Sequence, residues 1–186
     1  MKLFCSIFIS FLYFTICSSE IYKPVEYLEL NKYQGRWFQV IKDASDMSFQ
    51  GVGTCAVADY FITNSNVSVV NTQTGKDGSI DQIKGYAYYK DGNTGGELTV
   101  NLEGTPGNAP YWIIELGPVI NDEYQYSIVS DNFKLSLFVL SRNVSNYYIE
   151  YDTHVKDTLE KYGFTKEYNK PLTMKQSDCD YTKYSI

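Results

Sequence analysis

His154 is the one imidazole in a chain of 186 residues, and that scarcity bounds the chemistry before any fold is considered. Ser-His-Asp hydrolysis, Cys-His proteolysis and multi-histidine zinc sites all draw on imidazole as base or ligand. Most hydrolase readings weaken together, and the sequence calls for no metal and no cofactor. Four cysteines, Cys5, Cys17, Cys55 and Cys179, supply the thiols. Asn66-Val67-Ser68 and Asn143-Val144-Ser145 are acceptor triplets for N-glycosylation, at Asn66 and Asn143, if the chain is exported. A formal net charge of -6 argues against a nucleic-acid partner, which needs a basic surface to displace counterions from phosphate. Anionic membrane surfaces are disfavoured for the same reason.

What these residues can do depends on where the chain goes. Residues 1–19 read as a secretory signal: Lys2, an apolar run from Leu3 to Ile16, then the small residues Cys17, Ser18 and Ser19. The run is short for a membrane span, and an uncleaved signal anchor is the alternative. Cleavage leaves residues 20–186 as a single domain, outside the cell or in the lumen of the secretory and endolysosomal system. It also leaves two cysteines, Cys55 and Cys179. In an oxidising compartment such a pair is expected to form one disulfide, two buried thiols being the alternative. A bridge closing so long a loop contributes about 4 to 5 kcal/mol in the loop-entropy model.

The elements that must position these groups are mostly strands. Runs rich in Val, Ile, Tyr and Phe alternate with Gly, Asn and Asp clusters at the spacing of antiparallel hairpins. Strands are predicted over 35–42, 54–63, 67–74, 79–89, 97–102, 111–116, 124–130 and 134–141. One late helix is predicted from Asp152, where Tyr151, Val155, Leu159 and Tyr162 recur at helical spacing, with Asp152 or Thr153 as N-cap and Gly163 as the stop. His154 lies beside that stripe as an ordinary helix residue. Sequential strands followed by one helix favour an all-β fold, an eight-stranded antiparallel up-and-down barrel with the helix packed outside. A β-sandwich is the rival.

An eight-stranded barrel has an interior just wide enough for side chains or one small ligand. Strand alternation then selects the inward set. Ala58, Tyr60 and Ile62 form one inward row, and Leu98, Val100 and Leu102 another. Ile83, Gly85, Ala87 and Tyr89 oppose Lys84, which charge keeps outside. Tyr124, Tyr126 and Ile128 are expected to face in, opposite Gln125 and Ser127. Trp112, Ile114 and Leu116 are chosen over Tyr111, Ile113 and Glu115, because burying Glu115 unpaired is costly. Solid packing and a hollow barrel both fit this alternation.

At Asn31-Lys32-Tyr33-Gln34-Gly35-Arg36-Trp37-Phe38 the chain resembles the first signature segment of the lipocalins. Gln82-Ile83-Lys84-Gly85-Tyr86-Ala87, Ala109-Pro110-Tyr111-Trp112-Ile113-Ile114 and Leu140-Ser141-Arg142-Asn143 follow in the order and spacing of its apolipoprotein D and bacterial lipocalin branch. The resemblance runs from about Val25 to Cys179. It implies structural roles for Gly35, Trp37 and Arg142, with Trp37 closing the barrel base and Arg142 stacking over it, a contact worth roughly 0.5 to 2 kcal/mol. It implies a bridge from Cys55 to Cys179, and pocket roles for Tyr60, Asn71 and Phe138, where Phe138 replaces the Trp usual in that branch. Alternation places Ser136, Phe138, Leu140 and Arg142 on one face.

The expected function is non-enzymatic: a secreted protein holding a fatty acid, lysophospholipid, sterol or similar lipid in the barrel for transport or sequestration. The ligand set expected from alternation and resemblance together is Tyr60, Asn71, Gly85, Ala87, Val100, Trp112, Ile114, Tyr124, Tyr126 and Phe138. Other expected partners are a transient membrane or lipoprotein contact and a cell-surface receptor, with the chain a monomer or weak dimer. Three alternatives stand beside this reading. A lipocalin-type isomerase needs a free cavity thiol, a haem binder needs an axial histidine, and a protein-binding barrel needs only a packed interior.

Overall fold

Short β-branched and aromatic runs, separated by turns in which residues such as Gly78, Gly104, Gly107, Asn121 and Asp122 take positive φ, wind this chain into one continuous antiparallel sheet. The computed structural model describes residues 21–44, 52–64, 66–89 and 92–184. The predicted leader, with Cys5 and Cys17, lies outside them. The barrel strands are β1 (Gly35–Lys42), β2 (Thr54–Ile62), β3 (Val67–Thr74), β4 (Ile80–Tyr89), β5 (Glu97–Leu102) and β6 (Asn108–Leu116). A small hairpin of β7 (Val119–Ile120) and β8 (Glu123–Tyr124) follows, then β9 (Tyr126–Ser130) and β10 (Leu137–Ser141). Neighbours pair in chain order, β6 passes to β9, and β10 returns to β1 with Phe38 opposite Ser141, so eight strands close on themselves. Closure removes the free edges that would otherwise invite aggregation. A ninth strand, β11 (Leu172–Thr173), lies outside the barrel on the far end of β1.

Three strand boundaries differ from the sequence reading by more than one residue, each for a local reason. The last predicted strand loses its first residues because the Asp131 carboxylate accepts the backbone N–H groups of Phe133, Leu135 and Ser136, at 2.7 to 3.3 Å. Those donors cannot then join the ladder. Tyr124 separates from β9 because it pairs with Val119 in the small hairpin. β6 starts three residues early, with Pro110 opposite Thr99.

The helix Asp152–Lys161 forms with Val155 and Leu159 buried, and Gly163 ends it at φ +84. Its helical lead-in begins further upstream than predicted. A turn at Val144–Asn146 runs through a π-helical segment, Tyr147–Tyr151, into the helix. The cap is therefore Asn143, whose side chain accepts the Asn146 N–H at 2.9 Å, rather than Asp152 or Thr153.

Buried residues gather on both sides of the barrel wall. Tyr33, Trp37, Tyr60, Val69, Ala87 and Val129 belong to the inner cluster. Val40, Ile114, Tyr126, Ile128, Val139, Val155 and Leu159 form a second one between the wall and the helix. A third surrounds the bridge between Cys55 and Cys179, whose Cα atoms are 5.6 Å apart across a sequence separation of 124. Gln176 fastens the tail further, donating from Nε2 to the carbonyls of Gln39 and Ala56 at 2.7 Å each.

Candidate functional site

The barrel floor is built on one glycine and one indole. Gly35 has φ +96, a conformation side chains resist, and a Cβ there would come within 3.2 Å of the Arg142 guanidinium. That turn aims Trp37 down the axis, where it is fully buried and donates from Nε1 to the Tyr33 carbonyl at 2.7 Å. Arg142 lies 3.8 Å from the indole centroid. It donates to the carbonyls of Arg36 at 2.8 Å and Gln34 at 2.6 Å, with longer bonds to Lys32 and Tyr33. Burial lowers its pKa, yet a guanidinium stays charged, and the ring of carbonyls meets that charge. Leu30–Tyr33 forms a helical turn beneath this layer.

Above the floor four hydroxyls form a line. Tyr60 meets Tyr111 at 3.0 Å, Tyr111 meets Tyr33 at 2.9 Å, and Tyr33 meets Ser127 at 3.0 Å. Tyr33 and Tyr60 stack with centroids 5.7 Å apart. Burial pushes the Tyr33 hydroxyl up to about 12 and raises Tyr60 and Tyr111 as well, so all three are neutral donors and acceptors at neutral pH.

Over this line the barrel is hollow. A cavity of about 510 Å³ opens between the loop at Thr105, Pro106 and Gly107 and the loop holding Phe133 and Leu135. Its size suits one small ligand. Val69, Ala87, Leu98, Val100, Ile113 and Phe138 are among the apolar side chains on its wall. Among the described residues no Lys, Arg or His lines it, and the one acid there, Asp131, turns its oxygens to the loop's own donors. Asn71 interrupts the apolar wall. Its Oδ1 is buried with no hydrogen-bond partner among the described residues.

Of the ten expected ligand contacts, the structure places Tyr60, Asn71, Ala87, Val100 and Phe138 on the cavity wall. Ser136 and Leu140 share the Phe138 face, while Arg142 sits below the floor. Gly85 lies on the inward row between Ile83 and Ala87 but off the cavity wall, and a Cβ there would run into the Asn101 carbonyl and, at 2.9 Å, Leu102 of the neighbouring strand. Tyr124 is buried in the inner cluster below the cavity, its hydroxyl accepting the Glu29 N–H at 3.3 Å. Ile62 lies beyond the floor and is exposed.

Trp112, Ile114 and Tyr126, together with Ile128, point the other way, and their inward assignment is corrected. All pack against the helix side of the wall. The reason is Glu115. A bulge between Ile113 and Glu115 resets the register of β6 on β9. Tyr111, Ile113 and Leu116 turn in, while Glu115 turns out and finds partners: it accepts the Tyr126 hydroxyl at 2.6 Å and meets His154 Nε2 at 2.8 Å. The sequence argument assumed an unpaired Glu115, and the outer helix supplies the pairing. Tyr111 and Ile113 on β6 and Val129 on β9 are wall residues that argument missed, and Tyr33 joins them from the helical turn. The usable signal was the helix's own apolar stripe, which requires an apolar outer face on the strands beneath it.

Neither thiol of the Cys55–Cys179 bridge is free for a cavity mechanism, and His154 is exposed on the outer helix. Among the described residues no helix is long and apolar enough to cross a membrane, and no three His, Cys, Asp or Glu side chains cluster as metal ligands.

Known proteins agree with this geometry. Outer membrane lipoprotein Blc of Vibrio cholerae is 34% identical over 125 residues, covering 66% of this chain and 70% of that protein. Apolipoprotein D of Mus musculus is 30% identical over 164 residues, 83% of this chain and 80% of that one. Among solved structures, lobster apocrustacyanin A1 superposes with a TM-score of 0.59 at 20% identity, covering 82% of each chain. Insecticyanin from the tobacco hornworm Manduca sexta gives 0.60 at 17% identity over 86% of each. At such identities the two structures speak for the fold alone. The lipocalin-like domain model matches residues 28–170; with a closed eight-stranded barrel, an outer helix and a tryptophan-arginine floor, this chain belongs to the lipocalin family.

Proposed function

We propose that this protein binds a small hydrophobic molecule, of the lipid class, reversibly inside the barrel and carries or sequesters it outside the cell. The observation that carries the reading is the hollow interior, about 510 Å³ with a wall that is mostly hydrocarbon. Moving a ligand methylene from water into such a space yields about 0.8 kcal/mol, so a long chain offers roughly 10 kcal/mol before the costs of binding. The aromatic wall residues add rigid contact area at little entropic cost. Binding of this kind needs no reacting group, and we read the protein as a carrier rather than an enzyme.

Export through the leader at residues 1–19 is part of the proposal, supported by the bridge, which belongs to an oxidising compartment. Glycans at Asn66 and Asn143 follow from export, and Asn143 is exposed to receive one. Phe133 and Leu135, 71% and 54% exposed beside the cavity mouth, favour a transient contact with a lipid surface during loading. Titration of the secreted protein with Nile red tests the central claim. Saturable binding with fluorescence enhancement, reversed by an Ile113→Trp variant that fills the cavity, is the expected outcome. A folded protein that binds no apolar probe defeats it.

A further inference from the structure

Outside the cavity, at the floor end of the barrel, aromatic side chains stand in solvent around the turn between β2 and β3. We propose that this surface is a seat for carbohydrate: a glycan on Asn66 folds back onto the wall, its first sugar in a cleft beside the asparagine and the next over the rings of Phe61 and Tyr86. The proposal rests on the export reading above, since such triplets receive their sugar in the secretory lumen.

Register places the acceptor. Tyr60, Val67, Val69 and Ala87 face the cavity, so alternation turns Phe61, Ser68 and Tyr86 outward. Ser68, which completes the triplet that begins at Asn66, stands directly opposite Phe61 on one side and Tyr86 on the other. Those rings are 38% and 43% exposed. Large rings left in solvent on both sides of one serine form an apolar surface that gains by being covered. Asn66 itself closes the turn through its main chain. Its carbonyl accepts the Thr63 N–H at 2.8 Å and the Thr63 hydroxyl at 2.7 Å, and its N–H donates back to that hydroxyl at 3.1 Å. Among the described residues its side-chain amide has no part in the turn, so a sugar there costs no contact.

The cleft arises where two strands separate. Pairing of β3 with β4 ends at Val67 and Ala87. Just beyond, a space of about 260 Å³ is bordered by Ile62, Thr63, Asn64, Asn66, Tyr88 and Tyr89. Tyr88 is held in place, its hydroxyl accepting from Asn108 Nδ2 at 3.2 Å and its ring 6.0 Å from that of Tyr86. A sugar has a face of C–H groups and a rim of hydroxyls. The face suits the phenol ring and Ile62, and the rim suits Thr63 and Asn64. A purely apolar occupant would cover those polar groups and give them no partner. Attachment is the usual chemistry of the triplet: the Asn66 amide nitrogen bonds to the sugar's C1, the C1–oxygen bond to a lipid-linked pyrophosphate breaks, and the nitrogen gives up one proton.

The test uses secreted protein carrying Asn143→Asp, which leaves Asn66–Val67–Ser68 as the single acceptor triplet. Its glycan is trimmed enzymatically to one N-acetylglucosamine or removed altogether, in that parent and in a Tyr88→Ala variant, and each form is unfolded in urea. Removing the last sugar should lower the folding equilibrium constant about tenfold in the parent, the worth of one good ring contact, and less than about twofold in Tyr88→Ala. Nitration by tetranitromethane makes the comparison without a variant: Tyr86 and Tyr88 should react several times more slowly with the whole glycan on than off. Equal losses in parent and Tyr88→Ala, or nitration indifferent to the glycan, overturn the proposal. A secreted protein with Asn66 bare also overturns it and leaves export standing; if that protein is a dimer that Phe61→Ser dissociates, the face belongs to a second copy. A chain retained inside the cell with no sugar overturns the proposal and the export reading together.

Discussion

The reversal of β6 lends itself to a paired substitution. Ile113 and Ile114 are adjacent, both buried, and on opposite sides of one wall, the first toward the cavity and the second toward the helix. Truncating either to Ala removes three carbons, worth about 2.4 kcal/mol at ~0.8 kcal/mol per carbon. At Ile113 the lost atoms border space that is already empty, so the cost should stay near that figure. At Ile114 they leave a closed void among Tyr126, Val155 and Leu159, adding a cavity term that brings the total to about 3 to 4 kcal/mol. Urea unfolding of the ligand-free proteins measures the difference. Enlarging the same residues reads the face directly: Ile113→Trp should abolish Nile red binding in a folded protein, whereas Ile114→Trp should lower stability and leave binding intact if the variant folds. If Ile114→Trp folds and blocks the cavity while Ile113→Trp does not, the bulge argument is wrong.

Other consequences are equally open to measurement. Replacing Cys55 and Cys179 together with Ser should cost about 4 to 5 kcal/mol in urea unfolding, from the loop of 124 residues between them; a loss under about 1 kcal/mol would contradict the entropic account. Tyr33 has a folded pKa raised by burial to about 12 against 10.0 unfolded, so its stabilisation is complete below about pH 10 and lost as pH climbs through 12. Thermal unfolding should fall steeply over that window, and Tyr33→Phe should soften the fall. At Asn143, Asn143→Asp should keep the helix cap and eliminate any glycan, whereas Asn143→Ala should eliminate both and cost about 1 kcal/mol when compared with the deglycosylated protein. Equal stability of the two variants would remove the cap from the account.

The architecture was readable because its signals are local and repeated. Turn residues mark the hairpins, the helix carries a clear stripe ending at Gly163, and the segments around Gly35, Trp37 and Arg142 lie in a recognisable order. On β4 and β5 the inward rows also emerge from the alternation, because solvent on the outer face keeps Lys84 and Tyr86 there. On β6 and β9 alternation loses its contrast. Both faces are apolar there, since the helix buries the outer one, and a single bulge then decides which residues face the ligand. The partner that settles Glu115 is His154, 39 residues away in sequence. No count along one strand contains it. The hydroxyl line was hidden for a similar reason, its members coming from a helical turn and three separate strands.

The wall is unevenly backed. The helix braces β6, β9 and β10 from outside, and the bridged tail braces the start of β2. Among the described residues, the outward side chains of β4, β5 and the first residues of β6 are exposed or half-buried, with no element braced behind them as the helix is behind β9. A curved sheet clamped along one arc and free along another deforms where it is free, as a bow bends at its limbs and not at its grip. The wall around Asn71 and Tyr60, where polar side chains border the cavity, adjoins the clamped arc, and the hydrocarbon wall around Val100 and Leu102 lies on the free one. Under the carrier reading, such a container holds its cargo firmly against the braced strands and yields around the rest, so that one cavity could serve skeletons of different girth.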